Sequence, residues 1–109
     1  MIIQGSVSVG AGVTNNNVIA GSQFEFLPRN CLVEFGLVAS ATGLLLDISS
    51  GGDLLGQSYT PSTQNRVPIY PDDFTLVDVG LAGERIVVKA YNPTGGALTL
   101  FYSIRITPV

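Results

Sequence analysis

The side chains able to do chemistry are few, and their types exclude most catalytic arrangements. Histidine is absent. That removes the commonest general base, the Ser–His and Cys–His pairs, and the commonest transition-metal ligand. Cys31 is the sole cysteine. It can neither close an internal disulfide nor complete a zinc or iron–sulfur site. No phosphate-binding Gly-x-x-x-x-Gly-Lys-Ser/Thr run occurs, no Gly-x-Gly-x-x-Gly opens a helix, and no Gly-x-Ser-x-Gly elbow is present.

Carboxylates are what remains. Asp72 and Asp73 are adjacent and follow Pro71. Glycoside hydrolysis needs two carboxyl groups facing each other across a substrate, and neighbours in a turn do not achieve that by themselves. Asp after Pro is also an ordinary turn former. A calcium site built from Asp53, Asp72, Asp73 and Asp78 is a second option, although their spacing matches no calcium-loop pattern. Carbohydrate recognition would draw on loop amides and phenols, for which Asn15, Asn16, Asn17, Tyr59, Tyr70 and Asn92 are available. Asn92-Pro93-Thr94 is no glycosylation acceptor, because proline follows the asparagine.

The elements that must position these groups are strands. Apolar residues recur with period two almost throughout, in short segments bounded by Gly, Pro, Asn, Asp and Ser. Strands are expected over residues 2–9, 18–27, 31–39, 44–49, 54–59, 67–70, 74–79, 84–91 and 97–107. Phe24 and Phe26 would share one face of the second, with Glu25 on the other. Residues 10–17 and 60–66 read as loops, Ser50-Gly51-Gly52-Asp53 as a hairpin turn, and 92–96 as the turn of a last hairpin. Cys31 alternates with Val33, Phe35, Leu37 and Ala39, which points it into a core. Eight or nine strands in 109 residues make a single all-β domain, a jelly-roll-like antiparallel β-sandwich. An immunoglobulin-like sandwich would bring a tryptophan and paired cysteines, and neither is present.

Apolar residues make up 46% of the chain, but charged ones only 12%, about half the usual share of about 25%. Either Ser, Thr, Asn, Gln and Gly cover the surface, or part of that surface is buried against other subunits. Some strand faces opposite the core are apolar. Leu32, Val38, Leu45, Val87 and Phe101 are the candidate oligomer interface. The net charge is −3 and the five basic residues are scattered, so the footprint that nucleic acid requires is missing. No apolar run is long enough to span a membrane as a helix. Met1-Ile2-Ile3-Gln4-Gly5 lacks the charged start and apolar stretch of a secretory signal, so none is expected.

Residues 83–98, GERIVVKAYNPTGGAL, begin a strand with Gly, an acid and a base and end it with Asn before a Gly-rich turn. With residues 64–74, QNRVPIYPDDF, they resemble small structural proteins of bacteriophage virions. The resemblance covers about a quarter of the chain and carries over no functional residue. It implies a jelly-roll-like capsid, decoration or spike component, non-enzymatic and without a cofactor. Such a subunit would self-associate as a homo-oligomer, a trimer or pentamer, contact other virion proteins and reside in the virion. The alternative is a carbohydrate- or receptor-binding β-sandwich module. A hydrolase using Asp72 or Asp73 is a third reading.

Overall fold

The alternation resolves into nine strands. The computed structural model describes residues 1–109, with β1 at Ile2–Val9, β2 at Thr14–Asn15, β3 at Cys31–Ala39, β4 at Leu45–Ser50, β5 at Asp53–Tyr59, β6 at Ser62–Thr63, β7 at Phe74–Gly80, β8 at Ile86–Tyr91 and β9 at Leu98–Pro108. Strands β1, β9 and β3 lie side by side in sheet A. Beyond β3, β7 pairs with its first six residues and β6 with its last two. Sheet B has the order β2-β8-β4-β5. All pairings are antiparallel except that of β6 with β3.

The pairings nest. Strand β1 pairs with β9, β2 with β8, β3 with β7 and β4 with β5. Successive pairs fall alternately in sheets A and B. A long hairpin rolled up in this way is a jelly roll, the expected sandwich. Its interior is closed by the inner faces of both sheets. Val33 and Phe35 of β3, Leu46 and Ile48 of β4, Ile86 and Val88 of β8, and Leu100, Ile104 and Ile106 of β9 are all fully buried. Cys31 joins them. Each such side chain contributes about 1.5–3 kcal/mol on leaving water.

Five expectations are corrected. Residues 18–27 are not a strand. Bonds from Ala20 N–H to the Asn17 carbonyl and from Ser22 N–H to the Ile19 carbonyl fold them into turns, and a single bridge joins Phe26 to Arg85. The cause is Asn17. Its Oδ1 accepts the Val88 N–H at 3.0 Å, and its Nδ2 donates to the Ile86 carbonyl at 3.1 Å. The side-chain amide thus does for β8 what a further strand would do, and the chain turns away. Phe26 is left exposed, whereas Glu25 is buried.

Residues 67–70 are not a strand either. Pro68 offers no N–H to a ladder, and the Ile69 N–H is taken by the Asp73 carboxylate at 2.8 Å. Residues 10–17 and 60–66, read as loops, contain β2 and β6. The Ser50–Asp53 turn is a hairpin as expected, with Gly51 at φ +60°. Residues 92–96, however, close no hairpin. Strand β8 belongs to sheet B and β9 to sheet A, so this turn carries the chain from one sheet to the other. Asn92 holds it, fully buried, donating to the Val9 carbonyl at 2.9 Å and the Gly96 carbonyl at 2.8 Å. Its Oδ1 accepts from Thr94 N–H and Oγ1 at 3.0 and 2.6 Å.

Candidate functional site

The five residues of the expected interface divide between the two sheets. Leu32, Val38 and Phe101 lie on the outer face of sheet A, and Leu45 and Val87 on that of sheet B. They cannot form one patch, because β8 and β9 lie in different sheets and not in one hairpin. Val38 drops out altogether. It points outward but is fully buried, with β6 paired to it and the following loop folded over the sheet. Phe101, Leu45 and Val87 are half-buried.

Leu32 finds other neighbours. Its antiparallel partner on β7 is Val79, and Glu34 faces Val77. Val77, Val79 and the following Leu81 are 55%, 55% and 54% exposed. Residues two apart in a strand share a face, so they form an apolar strip along the margin of sheet A beside half-buried Leu32. Sequence reasoning missed it, although residues 74–79 carry apolar residues on both faces, which marked them.

Edge strands normally carry a guard against pairing with other chains, such as a charge, a proline or a bulge. Strand β7 has one. Asp78 is register partner to buried Val33 and so turns inward, with its Oδ2 buried and without a hydrogen-bond partner. Strand β1 has none. It forms the opposite margin of sheet A, and its eight residues, IIQGSVSV, contain no charge and no proline and pair with β9 without a register shift.

The loop over sheet A is pinned by aromatic and charged contacts. The Phe74 ring covers Gly36, where an added Cβ would lie 2.7 Å from it. Tyr70 meets Phe74 edge-on at 5.1 Å, and the Arg105 guanidinium sits 3.9 Å from the Tyr70 centroid. Asp73 pairs with Arg66. The Ile69 N–H, and then Arg66, hold the Asp73 carboxyl below its ordinary range against the opposing effect of burial. Asp73 is thus engaged in holding its turn, with Asp72 beside it exposed. No three acidic, Cys or His residues converge where a metal ion could sit, so Asp53, Asp72, Asp73 and Asp78 do not form the calcium cluster considered above.

The remaining candidates are also placed. Asn17 and Asn92 are buried in the hydrogen bonds described above, and the Asn15 Oδ1 accepts the Asn17 N–H at 3.1 Å. Tyr59 shares a 2.7 Å hydrogen bond with Thr75 Oγ1, tying β5 to β7. Of the loop amides and phenols, Asn16 and Tyr70 are exposed. Near Asn16, Arg85 donates to the Glu25 carboxylate at 2.7 Å and lies 5.9 Å over Phe26. The Gly21 N–H, then Arg85, keep the Glu25 carboxyl below its usual range.

Comparison with protein-family models, with curated proteins and with solved structures returns no match.

Proposed function

We propose that this chain is a non-enzymatic virion structural protein, a capsid, decoration or spike component that self-associates through sheet A. The observation that carries the reading is the apolar strip of Val77, Val79 and Leu81 beside Leu32, exposed on a chain that has little charge to spare. Water contact at such a strip is costly, and covering it with a second subunit removes the cost. The unguarded β1 edge adds a row of unpaired backbone groups on the other margin of the same sheet. Jelly rolls recur in capsid proteins, but many functions share a fold, so the strip and not the fold bears the weight. Assembly of this kind asks for no general base and no bound cofactor.

The test is native mass by light scattering over a concentration series, on the parent chain and on Val77→Lys with Val79→Lys. A closed trimer or pentamer is expected for the parent and a monomer for the double variant. A parent that stays monomeric at every concentration overturns self-association. Absence of the chain from purified phage particles overturns the virion assignment.

A further inference from the structure

The outer face of sheet B carries a polar groove of about 200 Å³, lined by Thr14, Leu45, Asp47, Ser58, Lys89 and Tyr91. The register shows how it is built. Tyr91 of β8 lies between Thr14 of β2 and Leu45 of β4. Two residues along, Lys89 faces Asp47. Ser58 comes from β5, where the pairing with β4 is irregular and the chain bulges.

Two features mark the groove as more than a solvated sheet face. Ser58 is the chain's one non-glycine residue with positive φ, at +51°, a conformation that is uncommon for side-chain-bearing residues and collects at functional sites. In that conformation its N–H donates to Asp47 Oδ1 at 2.8 Å, fixing the carboxylate. Lys89 lies directly across from Asp47, yet makes no ion pair. Both groups therefore keep hydrogen-bonding capacity for something else, next to a Tyr91 ring that is 41% exposed.

We propose that this groove binds one neutral hexopyranose ring of a glycan. A pyranose has an apolar C–H face, which suits a tyrosine ring. Its hydroxyls both donate and accept, which suits a fixed carboxylate beside an ammonium group and the Thr14 and Ser58 hydroxyls. The volume is smaller than that of pockets for drug-sized ligands and fits a single ring. Asp47 and Lys89 cancel in charge, so the site offers no net attraction to an acidic sugar. Nucleic acid would also stack on tyrosine, but the net charge of −3 opposes a polyanion. The groove is on the sheet opposite the assembly strip, so this proposal does not rest on the assembly reading.

The experiment is amide-resolved NMR of the full ¹⁵N-labelled chain, titrated separately with D-galactose, D-glucose, D-mannose and N-acetyl-D-glucosamine into the tens of millimolar. At least one sugar is expected to give saturable shifts centred on Thr14, Leu45, Asp47, Ser58, Lys89 and Tyr91. Tyr91→Ala should weaken that binding about tenfold or more. Lys89→Met, at an exposed position that tolerates substitution, should weaken it too, while Tyr91→Phe and Tyr70→Ala should bind like the parent. No shift with any of the four sugars, shifts centred elsewhere, or affinity unchanged in both Tyr91→Ala and Lys89→Met overturns the proposal.

Discussion

Replacing Asn92 by alanine tests the idea that one side-chain amide holds the crossover between the two sheets. The substitution leaves the fully buried Val9 carbonyl without its 2.9 Å donor, which costs about 1–3 kcal/mol. The three other bonds, to Gly96 and Thr94, are only partly buried. Water replaces them in part, and together they add about 1 kcal/mol more. The expected loss is about 2–4 kcal/mol. For a chain of 109 residues a melting-point shift of about 4 °C accompanies each kcal/mol, giving a fall of about 8–16 °C. The assay is urea and thermal unfolding followed by circular dichroism, at matched protein concentration because association would shift both. Asn92→Asp sharpens the test. At neutral pH its carboxylate would face the Val9 and Gly96 carbonyls and should destabilise at least as much as alanine. Protonation restores one donor, so the Asp variant should regain stability on acidification relative to the Ala variant. An alanine variant within about 1 kcal/mol of the parent would refute the reasoning.

Other expectations follow from the same contacts. Glu25 has its carboxyl lowered from an ordinary value of 4.5 by the Gly21 N–H and Arg85, so its ionised form is favoured by folding. That stabilisation is complete above the unfolded value and is lost as pH falls through the lower folded one. The stability gap between the parent and Glu25→Gln should therefore be constant near neutrality and close below pH 4.5; a gap that survives full acidification counts against the ion pair. Gly36→Ala drives a methyl group to 2.7 Å from the Phe74 ring and should cost about 1–3 kcal/mol by overpacking, read as a lower urea midpoint. Phe35, fully buried at the centre of sheet A, should cost about 3–5 kcal/mol when truncated to alanine. Cys31, equally buried, should resist a thiol reagent in the native protein and react at once in denaturant; immediate native reaction would contradict its packing.

Much of the architecture was legible because strand patterning is local. Residues 31–39 alternate so regularly that strand, inner face and the burial of Cys31 could all be read from them. The Ser50–Asp53 turn was equally legible, since Gly51 supplies the positive φ that a tight hairpin demands. Residues 18–27 misled because their alternation was genuine, while the competing hydrogen bonds came from Asn17 to Ile86 and Val88, about seventy residues away. Pro68 disfavours a strand at 67–70 on local grounds alone, because it brings no N–H to a ladder.

The amino-acid sequence alone determined that the chain is all-β, that it holds together without disulfides, and which residues of each strand face alike. Those properties follow from a two-residue period and from composition. Only the tertiary structure decided which strands share a sheet, because pairing is set by contacts between residues far apart in the chain. Val87 and Phe101 looked like neighbours on one hairpin, yet Asn92 turns the chain between them and they lie on opposite sheets. Val38 points outward as its position in the strand requires, yet β6 returns to bury it. The strip of Val77, Val79 and Leu32 and the groove of Thr14, Asp47, Ser58, Lys89 and Tyr91 are each assembled from separate strands. The two apolar faces of residues 74–79 hint at the strip, but no local pattern encodes its meeting with Leu32 or the groove, because rolling one long hairpin into two sheets is what brings those residues together.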